Sequence, residues 1–483
     1  MKKMMYYNPK YLKKTKIVAT LGPATDDEEI LRQMMDKGAD VFRINFSHAN
    51  YEDVRKKIKL IHSLNDKYGY NTAILADLQG PKLRIGEMEE GIVLMPGDVL
   101  TFTNEKIIGT KEKAYMTYKQ FPNDVKVGEN ILIDDGKLVL KVISTNQKDE
   151  VKAEVIQGGA LSSKKGVNLP NTKISLPALT EKDIEDARFA IENGVDWLAL
   201  SFVRTAQDVL DLKKLIDEGA KYKIPIIAKI EKPEALENIN EIIKAVDGLM
   251  VARGDLGVEM PMEVVPQYQK MLIHKAKLAR IPVIVATQMM ESMISSLTPT
   301  RAEVNDVANA VYDGADAVML SGETSIGKYP VQVIETMTKI LQRVEDSEMI
   351  KVPTLKPKNK NDRFVTKIVC YNAAKMVSLT GSKAISTLTY SGYTAFQISS
   401  YRPIAYILVY TPNKHIIRRL NLLWGVKAMY FDAGDRSTDE TVIEVNRMAL
   451  ENGFVEYGDY VINLNAMPVF EKGMTNTVRL TTI

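Results

Sequence analysis

Two short runs near the middle of the chain combine residue types that are costly in a core and useful in a site. They are Ala228-Lys229-Ile230-Glu231 and Ala252-Arg253-Gly254-Asp255. Each closes an apolar run that reads as a buried strand, Ile224–Ile230 and Gly248–Ala252. Residues two apart in a strand point to the same side, so Lys229 and Glu231 project together while Asp255 leaves the neighbouring strand end. Two carboxylates with water and substrate oxygens suit a hard divalent cation, Mg2+ or Mn2+, better than a cage made of protein alone. An ammonium beside them can steady a phosphoryl group.

Such groups need elements to hold them, and the chain supplies a regular alternation. Candidate strands are Lys16–Gly22, Asp40–Ser47, Thr72–Leu78, Asp196–Phe202, Pro225–Glu231, Gly248–Arg253, Pro282–Gln288 and Ala315–Ser321. Helical patterns lie between them, for example Asp27–Lys37, Tyr51–Tyr68, Glu181–Asn193, Thr205–Glu218 and Glu263–Arg280. Strands each followed by a helix predict an α/β fold, a (β/α)8 barrel. Three helices end in a small echo, Gly38-Ala39-Asp40, Gly194-Val195-Asp196 and Gly314-Ala315-Asp316, where glycine suits the helix end and the chain then enters the core. The echo reads as local structure.

Barrel chemistry sits at the carboxyl ends of the strands. Those ends read Arg43, Asn45 and Ser47; Asp77; Lys229 and Glu231; Asp255; Thr287 and Gln288; Ser321 and Glu323. A single charged strand end is often a solvated rim residue, but that reading explains the whole set poorly. Arg43-Ile44-Asn45-Phe46-Ser47 is expected to put three polar side chains on one face, toward the barrel mouth.

One interval breaks the rhythm. From Gly80 to Pro177 short strands and turns take over, with Gly97-Asp98 and Asp135-Gly136 as turn signals. The expectation is an all-β, barrel-like lid at 80–177, inserted after the third strand of a catalytic barrel at 1–79 and 178–350. Lys351–Asn361 reads as a linker, and 351–483 as a carboxyl-terminal α/β domain with an open sheet.

Composition narrows the classes. Of 483 residues 45% are apolar, enough for large buried cores, and the net charge of +3 balances 64 basic against 61 acidic residues. That balance argues against a nucleic-acid or membrane surface. One cysteine, Cys370, excludes an internal disulfide framework and a cysteine zinc site, and the four histidines have no zinc-ligand spacing. The basic start, Met1–Lys16, lacks the apolar stretch of a secretory signal, and no run approaches the roughly 18 apolar residues of a membrane span. A cytoplasmic location is expected.

Three motifs need weighing. Gly322-Glu323-Thr324-Ser325-Ile326-Gly327-Lys328 matches the first seven positions of a P-loop, but Tyr329 stands where the metal-holding hydroxyl belongs and Pro330 follows. A rim loop is the better reading. Gly80-Pro81 forces a turn into the insertion, and Arg84 can swing with it toward an anion. In the last domain, Ser391-Gly392-Tyr393-Thr394 ahead of a helix suits either a phosphate or ordinary capping.

At these residues the chain resembles the pyruvate kinase family. The resemblance is carried by Thr15–Thr25, Phe42–His48, Ile227–Pro233, Val251–Glu259, Ala286–Met293, Pro299–Asp306 and Met319–Thr324, in order and over nearly the full length. It implies phosphoryl transfer from phosphoenolpyruvate to ADP. Glu231 and Asp255 are then expected to hold Mg2+ or Mn2+, Lys229 to neutralise the phosphoryl group, and Arg43 to contact the phosphate. Gly254, Asp255 and Thr287 are expected on the carboxylate. Arg84 and Lys165, with Asn45 and His48, are expected on the nucleotide side. Thr287 and Ser321 are both candidates for delivering the proton to the enolate.

Many family members also use K+, at positions matching Asn45, Ser47, Asp77 and the Leu78 carbonyl. Here Lys82 stands where those members usually carry Glu, and Leu78 where they carry Thr. An ammonium at Lys82 can replace the monovalent charge, so K+ is expected to be dispensable. The carboxyl-terminal domain resembles the family's effector domain. Its loop keeps hydroxyls at Thr389, Ser391 and Thr394, so a sugar phosphate or nucleoside monophosphate is the expected effector. The resemblance further implies a homotetramer, and a chain ending at Ile483 without the extra phosphohistidine-like domain of some members. A metal-dependent pyruvate aldolase on the same barrel is the rival enzyme. A catalytically silent metabolite sensor is the rival of another class.

Overall fold

The computed structural model describes residues 11–347, 349–350, 352–353, 356–357, 363–467 and 474–483. The basic segment through residue 10 and most of the expected linker lie outside these residues. Eight strands form the barrel: β1 (Lys16–Thr20), β2 (Val41–Asn45), β3 (Ala73–Asp77), β4 (Trp197–Leu200), β5 (Ile226–Ile230), β6 (Gly248–Ala252), β7 (Val283–Ala286) and β8 (Ala317–Leu320). All pair in parallel and close in the order β1-β8-β7-β6-β5-β4-β3-β2. Their near-continuous apolar sequences are what a sheet covered on its outer face by helices requires. The covering helices start and stop by local chemistry. Asp27 caps Glu28–Lys37 by accepting from Glu29 N at 2.8 Å and Ile30 N at 3.1 Å. Gly38, at φ 111°, ends it and turns the chain into β2.

The strands are shorter at their carboxyl ends than the sequence suggests. Runs expected to reach Gly22, Phe202 and Gln288 stop at Thr20, Leu200 and Ala286. Beyond two of them the backbone turns left-handed, at Phe202 (φ 53°), Thr287 (φ 71°) and Gln288 (φ 54°). Likewise the expected alternation Arg43, Asn45, Ser47 stops at Asn45, because Phe46–His48 winds into a 3-10 turn. Ser47 therefore enters from a turn and not from the strand face. The polar crown of the barrel is thus shared between strand ends, which carry Arg43, Asp77 and Lys229, and the turns just beyond them, which carry Ser47, Ser201, Glu231 and Thr287.

The insertion is strand-rich, with one short helix, Phe121–Asp124, that the all-β expectation lacks. Six strands form its main sheet, with Val167–Asn168 at one edge and Lys113–Tyr115 at the other. Arg84 bridges Gly166 and Ile85 bridges Met116, so one short segment links the two edges. The carboxyl-terminal domain has a five-stranded sheet ordered Val426–Tyr430, Tyr406–Thr411, Ala384–Leu388, Tyr460–Asn465 and Thr477–Thr482, the last antiparallel. It also holds a helix absent from the sequence reading, Thr438–Glu451, whose Ser437/Glu440 capping box was the available signal. Among the described residues no helix is long and apolar enough to cross a membrane.

Candidate active site

The mouth is built around Lys229, next to last on β5. Its ammonium lies 3.0 Å from Glu231 Oε1 and 3.2 Å from Asp77 Oδ1, and donates to Ser201 Oγ at 2.7 Å. Asp77, the last residue of β3, also accepts from Arg43 Nε of β2 at 2.6 Å. Arg43 Nη1 in turn donates to Thr20 Oγ1 of β1 at 3.0 Å. Five consecutive strands thus feed one charged cluster. Asp255 joins it from the first turn of the helix Arg253–Glu259 that follows β6.

The cluster's electrostatics are lopsided. Burial works against the Lys229 ammonium, but Asp77 and Glu231 outweigh it and keep the group charged well above its ordinary range. Burial also disfavours the Asp77 carboxylate, yet Lys229 and Arg43 hold its pKa below the usual value. Glu231 is different. Burial pushes it up to about 7, Lys229 opposes that, and the charge of Asp255 adds to it. Three carboxylates here face two cations, so the mouth carries surplus negative charge that a divalent cation at Glu231 and Asp255 would neutralise. Among the described residues no group of three or more His, Cys, Asp or Glu forms a complete metal cage. A pair of carboxylates leaving positions for water and substrate oxygens fits Mg2+ or Mn2+.

Across the mouth, Thr287 and Gly254 meet. Gly254 N donates to Thr287 Oγ1 at 2.8 Å, and that hydroxyl donates to Ala286 O at 2.6 Å. A Cβ on Gly254 would lie 3.3 Å from Thr287 Oγ1, a tight contact that the threonine side chain would have to yield to by a few tenths of an ångström. Arg253 holds the turn from behind, donating to Thr287 O at 2.7 Å and pairing with Asp306 at 2.7 Å. A β-branched residue at positive φ is an outlier, of the kind that collects at functional sites.

Other expected residues have more ordinary surroundings. Ser321 sits just past β8, its N–H donating to Glu323 Oε2 at 2.7 Å. Glu323 is spent on backbone, since its Oε1 accepts from Met290 N at 3.1 Å. The N–H groups of Ser325, Ile326, Gly327 and Lys328 all donate to backbone carbonyls, which uses up the donors that a phosphate cradle would need. Asn45 Oδ1 accepts from Ser47 N at 3.1 Å, and the Leu78 carbonyl accepts from Ser201 Oγ at 2.6 Å. His48 closes the 3-10 turn, but its side chain lies outside the described residues. On the insertion, Arg84 Nη1 donates to Lys164 O at 2.9 Å and Ile85 N to Lys165 O at 3.0 Å, which makes Arg84 and Lys165 neighbours. Lys165 pairs with Asp134 at 3.0 Å. Lys82 is exposed and lines the cleft between insertion and barrel together with Asn168, Arg204, Lys232 and Asp255.

Two residues at the mouth escaped the sequence reading, Ser201 and Phe202. Ser201 connects Lys229 to Leu78, and Phe202 N donates to Glu231 Oε2 at 2.7 Å, fixing that carboxylate. Ser201 offered only the weak signal of a hydroxyl residue directly after an apolar strand, as at Ser321, and Phe202, which acts through its backbone N–H, offered none. In the last domain Thr389 Oγ1 accepts from Gly392 N at 3.0 Å, and Thr394 Oγ1 bonds Thr475 Oγ1 at 3.0 Å. Capping and packing therefore account for those two. Ser391 lines a cavity of about 730 Å3 beneath the barrel, beside Arg280, Arg363, Arg419 and Lys223.

Comparison with known proteins agrees with this geometry. Residues 12–334 match the family description "Pyruvate kinase, barrel domain" and residues 367–481 match "Pyruvate kinase, alpha/beta domain". The chain belongs to the pyruvate kinase family. It is 41% identical over 471 residues to a pyruvate kinase of Staphylococcus haemolyticus, and 43% identical over 471 residues to one of Bacillus licheniformis. Each match covers 97% of this chain and 80% of the relative. The crystal structure of a pyruvate kinase from Cryptosporidium parvum superposes with a TM-score of 0.90 at 34% identity, over 97% of this chain and 96% of that one. The pyruvate aldolase alternative is not favoured.

Proposed function

We propose that the chain transfers the phosphoryl group of phosphoenolpyruvate to ADP, giving pyruvate and ATP. A β-phosphate oxygen of ADP forms the new bond to phosphorus, the bond from phosphorus to the enol oxygen breaks, and carbon three of the enolate takes a proton. The observation that carries this reading is Lys229, held charged between Asp77 and Glu231 at the barrel mouth. A fixed cation suits a loose transition state whose charge spreads over the phosphoryl oxygens. A divalent ion at Glu231 and Asp255 would supply further positive charge to the enol phosphate. Arg43, which shares Asp77 with Lys229, contacts the phosphate. Thr287 with the Gly254 and Asp255 backbone orients the carboxylate. Thr287 and Ser321 remain the two candidates for relaying the proton.

Arg84 and Lys165, adjacent on the insertion, meet the nucleotide phosphates when the lid closes and excludes water. Asn45 and His48 are the barrel residues on the nucleotide side. Lys82 supplies the charge that K+ provides in other members. In support, Asn45 Oδ1, Asp77 and the Leu78 carbonyl each already have a partner within the protein. The basic cavity beside Ser391 accepts an anionic effector, a sugar phosphate or a nucleoside monophosphate, in a cytoplasmic homotetramer.

The test is a lactate-dehydrogenase-coupled assay with Mg2+, run with and without candidate effectors. Pyruvate must form only when ADP is present. Lys229→Met is expected to lower kcat by about 10^2- to 10^3-fold, the cost of losing one preorganised charge at a transition state. Full turnover in that variant would remove Lys229 from the reaction.

A further inference from the structure

The small sequence echo has a structural counterpart at the closed end of the barrel. Asp40, Asp196, Asp247 and Asp316 each stand immediately before an even-numbered strand: β2, β4, β6 and β8. Each carboxylate accepts the N–H of a residue at the start of the preceding odd strand. Asp40 takes Ile17 N at 2.9 Å, Asp196 takes Ile74 N at 2.8 Å, Asp247 takes Ile226 N at 3.1 Å, and Asp316 takes Val283 N at 2.9 Å. The foot of the barrel is therefore stapled as four strand pairs.

The same four aspartates face basic residues of the carboxyl-terminal domain. Arg418 Nε donates to Asp196 Oδ1 at 3.1 Å, and Arg402 Nη1 lies 3.0 Å from Asp316 Oδ1. Lys427 lines the same small cavity as Asp40, whose carbonyl accepts from Asn421 Nδ2 at 3.0 Å. Arg419 lines a cavity with Asp247 and donates to the carbonyl of Lys223, which itself pairs with Asp247 at 2.5 Å. Both tryptophans of the chain sit here. Trp197 Nε1 donates to Arg419 O at 3.1 Å, and Trp424 N donates to Asp316 Oδ1 at 3.4 Å.

We propose that these four aspartates are positioning residues for the reaction, the seat through which the carboxyl-terminal domain fixes the strands that end at the catalytic mouth. The even strands lead from this seat to Arg43, Ser201, Asp255 and Ser321. A strand of four or five residues spans only about 15 Å, and a close-packed barrel passes displacement along it. The staples make each odd strand, with Asp77, Lys229 or Thr287 at its far end, move with its even neighbour. Because the same short strands join the two ends, a ligand that shifts the strand ends at the mouth is expected to shift the seat as well.

This inference rests on the phosphoryl-transfer reading, and its test separates the two. Tryptophan emission of the full chain is titrated with phosphoenolpyruvate and Mg2+, alongside turnover. A saturable emission change is expected, although neither tryptophan is at the mouth. Arg418→Gln is expected to raise the half-saturating phosphoenolpyruvate concentration by about fivefold, the lower end of usual coupling, with a smaller change in kcat. Arg418→Lys should recover most of that loss. An enzyme that turns over while its tryptophans stay silent overturns the seat alone, as does an Arg418→Gln variant that only melts earlier. No turnover at all would instead sink the phosphoryl-transfer reading.

Discussion

The two ends of the barrel both bury charge on strand termini, and they treat it in opposite ways. At the foot, every one of the four carboxylates accepts a backbone N–H and faces a cation. Burial raises the Asp316 carboxyl, but Arg402 and Lys277 overcome that and hold it below its ordinary range. Lys277 itself is brought down to about 7 by burial and by Arg402, which leaves Arg402 as the permanent counter-charge. At the mouth, Glu231 stays raised, Thr287 and Phe202 hold strained backbone, and negative charge is in surplus. One end is satisfied by its own protein. The other is completed only by what binds.

The largest expected effect tests the satisfied end. Asp316→Ala leaves Lys277 and Arg402 buried without their carboxylate and frees the Val283 N–H. Removing one partner of a buried pair costs about 3–5 kcal/mol, so the urea midpoint should fall sharply. Asp316→Asn keeps an acceptor for Val283 and should lose less. An unchanged midpoint in the alanine variant would show that the foot is not a structural clamp.

A smaller effect separates the ends by pH. Glu231 has a folded pKa above its unfolded value of 4.5, so the folded protein prefers it protonated. The stability this gives is present below 4.5 and is lost as pH rises toward 7 in metal-free protein. Asp316 and Asp40 are depressed instead, and their contribution is present above 3.8 and lost as pH falls through their folded values. Divalent metal needs the Glu231 carboxylate, so binding should release a proton, and affinity should fall about tenfold per pH unit below 7. Calorimetric titration of Mn2+ at several pH values measures this. A flat affinity between pH 5 and 7, within that same proton linkage, would remove Glu231 from the ligand set.

The contrast also explains what could be read from sequence. Strand identity was legible because the barrel's strands are unbroken apolar runs between capped helices. Lys229, Glu231 and Asp255 stood out because charge directly beyond such runs is unusual. Ser201 was not legible, since a serine after a strand is common and only its bonds to Lys229 and Leu78 distinguish it. The aspartates of the echo were visible, but their partners lie in another domain. Arg418 is 222 residues from Asp196, and no local pattern reports a contact at that separation. Strand ends were overestimated because the backbone turns to positive φ at Phe202 and Thr287, a conformation that neither residue type signals in sequence.

The smallest expected effect concerns the charge that completes the mouth. If Lys82 carries the role of a monovalent ion, turnover in a sodium- and potassium-free buffer should change by less than about twofold when K+ is added, because a tethered ammonium already supplies that charge. Lys82 is exposed and lines the cleft beside Asp255, so replacing it need not disturb the buried network at Asp77. Lys82→Gln should then lower turnover while leaving the urea midpoint unchanged, the reverse of Asp316→Ala at the foot. A many-fold rise with K+ in the unaltered protein would mean that the mouth still borrows this charge from solution. The comparison would then sharpen further, since the catalytic end would depend on two kinds of ion and the foot on none.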